Sequence, residues 1–380
     1  MNIFIKGLFT DLYNRSNKML DQLNDLSMPT VASGNFKKLA EDHLFELTDR
    51  IRTIVKSGIL EDDFFTSNVM ILYKSINIDY LESESYLFLP IKKYDQAVEG
   101  YFEKMVTTIY EEIGLAQSVP FISVISNASA YFWAYLKYQM IALPQGEENY
   151  LLNLNDLYHE IAHFIYNQYG EYLVVGFMEK MKDEYGKKIK KSNTRKGLEL
   201  KKVLEKAMDY WENSWAEELA CDLMATYLVG PAHVWGHMKV CMVSSGSNAL
   251  YGYGEMFREH PPDEVRMRAV LKMLIHIGFT EDAEKISIAW ENFKAVTDNE
   301  KKSIYDELFA SAMIDLMAQN VYDGCKNIGL RSYPQQKAYT TQPVSLVIND
   351  AWDKMRDDTD GYDSWEEVEV QRLRSRMSYV

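Results

Sequence analysis

The stretch Asn155-Asp156-Leu157-Tyr158-His159-Glu160-Ile161-Ala162-His163-Phe164 constrains this chain more than any other. Two histidines four residues apart on a helix lie about 40° apart around its axis, so both imidazoles leave one face and can share a metal ion. Glu160 stands beside that pair. It is too close in sequence to serve comfortably as a third ligand, yet well placed to take a proton from a water that the metal activates. Leu154, Leu157, Ile161 and Phe164 recur at helical spacing on the other face, which predicts a packed amphipathic helix. A metal site needs that kind of rigid support.

A site of this kind also needs a third protein ligand and one open position. In Trp215-Ala216-Glu217-Glu218-Leu219-Ala220-Cys221-Asp222, Glu218 and Asp222 are again four apart on one helical face, with Leu219 and Leu223 on the other. Glu218 is the candidate third ligand. Asp222 is the candidate acceptor for the far nitrogen of a liganding histidine, which would fix its tautomer.

Together the two segments resemble the gluzincin zinc metallopeptidases, the thermolysin-like group, whose second helix carries Glu-x-x-x-Asp in those roles. His260-Pro261-Pro262 followed by Arg266 is similar to the His-Pro…Arg segment that follows the second zinc helix in several gluzincin families, the CAAX-processing type included. The resemblance covers roughly residues 120 to 270. Two features depart from it: about 54 residues separate His163 from Glu218, more than in thermolysin-like enzymes, and no membrane-spanning segments accompany the motifs. The resemblance implies one Zn²⁺ per chain on His159, His163 and Glu218, with Asp222 behind them. It implies hydrolysis of a peptide bond with Glu160 as general base. It also places a transition-state donor after the second zinc helix, for which His260 is the candidate and Tyr251 and Tyr253 the rivals. Arg266 would anchor that segment to acidic groups. Two other functions fit the same residues: a binding or regulatory protein that kept the scaffold and lost turnover, and a zinc hydrolase of a non-peptide bond.

A chain of 380 residues can bury a large core and is expected to divide into subdomains. With 41 basic against 56 acidic residues, a formal charge of −15 argues against general affinity for nucleic acid or anionic membranes. Three cysteines, Cys221, Cys241 and Cys325, do not make a disulfide framework and point to a reducing compartment. Lys6 and Asp11 interrupt the apolar residues of the first twenty, unlike a signal peptide, and no run reaches the length of a membrane span. A cytoplasmic protein acting on a peptide or protein substrate is expected.

The expected fold class is α+β and predominantly helical: a zincin-like core with a small mixed sheet at 116–278, flanked by helical regions at 1–115 and 279–345 and a charged tail or exposed helix at 346–380. In the first region, Phe36, Leu39, His43, Leu47, Ile51 and Ile54 mark one amphipathic helix after a loop at Ser27–Asn35, with His43 a structural residue. Ile76–Ile78 and Tyr86–Ile91 read as short strands, followed by a helix from about Tyr94 to Ile113 that Gly114 stops. The flanking helical regions are candidate surfaces for a regulatory protein.

Phe121–Ile125 and Lys137–Leu143 read as strands, and Tyr138–Pro144 is the candidate edge strand against which an extended substrate would pair, an interior strand being the alternative. The lysine-rich stretch at about 178–206 has no aromatic residues interleaved from Lys187 to Lys206, so a solvated helical hairpin inserted between the motifs is expected rather than a nucleic-acid site. Gly230-Pro231 ends the second motif helix. His233 and His237 repeat the four-residue spacing but have no sequence-adjacent carboxylates, which predicts surface or packing residues and not a second metal site. Ser244–Gly254 reads as a loop that delivers His260. Pro261 and Pro262 start a helix that ends at Gly278, and Thr297–Glu300 reads as a capping box.

Overall fold

The computed structural model describes residues 2–57, 66–116, 118–124, 132–191, 195–244, 250–252, 260–297, 301, 304–335 and 342–377. The described residues are predominantly helical, with a three-stranded mixed sheet. Two compact units emerge. The first takes in Met1–Val106, Ser118–Glu148 and Met377–Val380, the second Thr107–Gln117 and Asn149–Arg376.

The first unit holds α1 (Asn2–Asn24), α2 (Val31–Lys56), α3 (Thr66–Ser83), a π-helical turn (Glu84–Phe88), α4 (Leu89–Lys92) and the start of α5 (Glu99–Ile113). Thr30 caps α2: its Oγ1 accepts from Ser33 N at 3.0 Å while Ser33 Oγ accepts from Thr30 N at 3.1 Å. The helix therefore begins inside the stretch expected as loop. Ile76–Ile78 and Tyr86–Ile91, expected as strands, are helical. Ile76 and Tyr80, four apart, are both buried, so the helical period sets that core contact where a short apolar run alone suggested a strand. His43 is half-buried on α2.

The sheet belongs to this unit: β1 (Phe121–Ser123), β2 (Trp133–Tyr135) and β3 (Met140–Ala142), in the order β1-β3-β2. β3 runs parallel to β1 and antiparallel to β2, so the strand expected as a substrate-pairing edge is the central one, with its ladder filled on both sides. The reason is β2, a short strand that the sequence reading did not anticipate. Ile125 lies outside the described residues.

The second unit is built on α6 (Asn155–Lys191) and α8 (Ala216–Val229), which pack together, with α7 (Arg195–Tyr210), α9 (Pro231–Ser244) and α13 (Ser311–Asn327) against them. α6 and α7 form the lysine-rich hairpin, Ser192–Thr194 lying outside the described residues. Leu157, Ile161 and Ile165 are wholly buried on α6, each contributing about 1.5 to 3 kcal/mol through the apolar surface it removes from water. A π-helical turn, Trp211–Trp215, joins α7 to α8 and buries both tryptophan rings, 5.5 Å apart and edge to face.

Gly230, at φ +74°, ends α8; an added Cβ would also meet the Tyr333 ring at 2.3 Å. Asn349 then ties the two flanking helix ends together, accepting from Ala232 N at 3.0 Å and donating to Val229 O at 2.7 Å. On α9, a Cβ at Gly236 would lie 2.2 Å from Asn155 Nδ2, so only glycine lets α9 cross so close to the start of α6. α10 (Asp263–His276) follows Pro262 and stops before Gly278, and α11 (Thr280–Val296), α12 (Tyr305–Leu308), α14 (Val344–Asp357) and α15 (Thr359–Met377) complete the unit. Thr297 closes α11 at its C-terminus; the rest of the expected capping box, through Glu300, lies outside the described residues.

Of the two expectations for the charged 346–380 segment, a tail or an exposed helix, the described residues through 377 are helical, and α14 and α15 also bury Trp352, Tyr362, Val370 and Leu373. Its charges occupy the outer faces while these apolar residues anchor it. Glu366 also accepts from Leu151 N at 2.7 Å, tying α15 to the loop before α6. Among the described residues no helix is long and apolar enough to cross a membrane.

Candidate metal centre

α6 presents His159 and His163 one turn apart, their rings 4.9 Å apart and nearly perpendicular. α8, packed alongside, presents Glu218 between them. His159 Nε2 lies 3.5 Å from Glu218 Oε2 and His163 Nε2 lies 3.7 Å from Glu218 Oε1. One ligand atom from each of the three residues falls within 4.8 Å of the others. The set suits zinc by chemistry, since two imidazoles and one carboxylate are its usual donors and leave a position open. Glu218 Oε2 is buried without an aligned hydrogen bond, which fits an oxygen directed at a cation.

Behind these donors the rings are held by carboxylates. His159 Nδ1 lies 3.0 Å from Asp222 Oδ1, and His163 Nδ1 lies 2.9 Å from Glu217 Oε1. Each histidine thus turns Nδ1 to a carboxylate and Nε2 toward Glu218. Asp222 is itself gripped by Arg266, whose Nε and Nη2 reach Oδ2 and Oδ1 at 2.6 and 2.7 Å in a two-pronged bond. Burial alone would raise the Asp222 pKa, but the guanidinium and the imidazoles hold it well below the usual carboxylate range. Burial likewise works against charge on His159, and the neighbouring Asp222 and Glu218 carboxylates outweigh it, raising its pKa well above the ordinary value. The field that attracts a proton there attracts a metal cation equally, so the two compete.

Glu160 follows His159 on α6 and is 8 % exposed. His260 precedes α10 and brings Nε2 to 3.1 Å from Glu218 Oε2, its side chain 42 % exposed where His159 and His163 are 10 % and 12 %. It is the open side of the cluster. The Tyr251 ring packs edge to face on Tyr305, 5.2 Å away, against the core that includes Val234 and Met267. Tyr253 lies outside the described residues.

Two participants escaped the sequence reading. Glu217, one residue before the candidate ligand, meets the far nitrogen of His163, because adjacent carboxylates on a helix can serve two atoms of one ring. His233, read as a surface or packing residue, is buried with Nε2 3.6 Å from Asp222 Oδ1, and its ring is stacked parallel to His159 at 6.3 Å. His237 is buried as well, beside Cys241 and Asp263. The carboxylates absent from their sequence neighbourhood are supplied by α8 and α10. Comparison with protein-family models, with curated proteins and with solved structures found no match for this chain.

Proposed function

We propose that this chain is a zinc-dependent metallopeptidase of gluzincin type. The observation that carries the reading is the convergence of His159, His163 and Glu218 from two packed helices, with both imidazoles oriented by carboxylates on their far side. The peptide bond as substrate rests on the likeness of three segments, His159–His163, Glu218–Asp222 and His260–Arg266, to gluzincin motifs. A zinc ion held by His159, His163 and Glu218 would supply Lewis acidity toward a substrate carbonyl and the attacking water.

The remaining steps fall to the chain's own groups. Glu160, next to the first ligand and largely shielded from solvent, takes the proton of the attacking water and returns it to the departing amine. His260, partly exposed at the open side, donates to the carbonyl oxygen as negative charge develops there. Arg266 and Asp222 hold the His159 ring and fix the start of α10 behind His260. A helical surface elsewhere on the chain would be where a regulatory protein acts.

The test is elemental analysis of the purified protein together with a broad peptide-library cleavage assay, wild type beside Glu160→Gln. Zinc in both and cleavage only in the wild type is expected. A folded protein that neither contains nor takes up zinc, or a Glu160→Gln variant with full activity, would overturn the proposal.

A further inference from the structure

α9 carries a second constellation that the candidate metal centre does not use. His237 and Cys241 are four apart on one face of α9, and Cys241 Sγ lies 3.6 Å from His237 Nε2. Asp263, the first residue of α10, closes the group: His237 Nε2 is 3.3 Å from its backbone oxygen, and one ligand atom from each of the three side chains falls within 4.8 Å of the others. His237 is 5 % exposed and Cys241 2 %, and Cys241 belongs to a core that includes Val234, Met238, Met267 and Val270. A buried thiol and imidazole on one helix and a half-buried carboxylate at the start of the next form a donor set with nitrogen, sulfur and oxygen at once.

We propose that His237, Cys241 and Asp263 form a second metal site, taking zinc or another borderline divalent ion and sharing no ligand with His159, His163 and Glu218. The soft thiolate favours such an ion over magnesium or calcium. The charges match, since a thiolate and a carboxylate balance a divalent cation while the nearby Arg266 is already paired with Asp222. Binding exchanges the Nε2 contact with the Asp263 backbone oxygen for the ion, with the ring proton on Nδ1. The Cys241 thiol gives up its proton to solvent, one released per ion bound. The site would clamp α9 to the first turn of α10, directly after His260-Pro261-Pro262.

Cobalt(II) separates this site from the first, because only a sulfur ligand gives an intense thiolate-to-cobalt charge-transfer band in the near ultraviolet. The full-length protein, stripped by a chelator, would be titrated with cobalt(II) alone. We expect the band in wild type, its persistence in His163→Ala, and its loss in Cys241→Ser. Absence of the band in wild type, or a band unchanged in Cys241→Ser, overturns the site. Should Cys241→Ser fail to fold, X-ray absorption of the zinc-loaded wild type decides, since a sulfur neighbour at about 2.3 Å is required. The outcome does not depend on peptidase activity.

Discussion

His163 Nδ1 meets Glu217 Oε1 at 2.9 Å, while Nε2 of the same ring faces Glu218 Oε1 at 3.7 Å, so neighbouring carboxylates on α8 address opposite atoms of one imidazole. In the proposed site the first would orient the ring and the second would share its metal. Glu217→Gln keeps the shape but weakens the bond from Nδ1–H, and metal affinity should fall about 10- to 100-fold. Glu218→Ala should lose the metal outright. Equilibrium dialysis against zinc buffers measures both, and a reversed ranking would exchange the two roles.

On the proposed mechanism Glu160→Gln removes the general base and little else. The variant should retain one equivalent of metal at His159, His163 and Glu218 and lose peptide turnover by several orders of magnitude, because the amide cannot accept the water's proton. Single-turnover cleavage with metal content measured on the same sample checks it.

The Arg266–Asp222 pair is a stability statement as well as a positioning one. Asp222 is 1 % exposed, and removing its guanidinium leaves a buried carboxylate without its main counter-charge. Arg266→Met should cost about 3 to 5 kcal/mol in chemical denaturation of the metal-free protein. A loss below about 1 kcal/mol would mean that His233 and His159 suffice to hold Asp222.

The site residues were far more legible than their surroundings. His159, His163, Glu218 and Asp222 announce themselves because helical spacing converts directly into a shared face, a local relation that needs no tertiary information. Arg266 and His260 lie forty residues or so beyond, and only a resemblance pointed to them. Glu217 and His233 could not be found by spacing, since what selects them is how α8 and α9 rotate against α6. The π-helical turn Trp211–Trp215 precedes α8, and a turn with one extra residue leaves no periodic mark in sequence. The short strands failed for a related reason. Three-residue strands carry too little alternation to be told from buried helix, so Ile76–Ile78 looked like a strand and Trp133–Tyr135 did not.

A buried carboxylate in the first unit sets a pH dependence independent of any metal. Glu103 is fully buried on α5, with Oε2 accepting from Thr30 Oγ1 at 2.6 Å and Tyr94 OH at 3.2 Å. Burial pushes its pKa up to about 7, the two hydroxyl bonds pull against that, and the Glu99 charge adds to the rise. Between the ordinary value of 4.5 and about 7 the folded chain holds a proton that the unfolded chain has released. Stability from this group is therefore full below 4.5 and falls as pH rises through that window, by a few kcal/mol at most. Glu103→Gln should narrow the difference in denaturation midpoint between about pH 5 and about pH 8. An unchanged difference would place the titration on other carboxylates, Glu112 first, whose pKa burial also raises to about 7.

The last prediction separates two roles for His260. Its Nε2 is 3.1 Å from Glu218 Oε2, near enough to serve either as a donor to a developing oxyanion or as a support for the third ligand. An oxyanion donor acts chiefly in the transition state, where one hydrogen bond is worth about 2.7 to 4 kcal/mol, so His260→Ala should lower kcat about 100- to 1,000-fold with KM and metal affinity little changed. A support for Glu218 would show the opposite split, with metal affinity reduced and turnover per bound metal preserved. Tyr251 offers the control. Because its ring packs on Tyr305, Tyr251→Phe should leave kcat within about twofold of wild type, and a large fall there would return the donor role to the tyrosine.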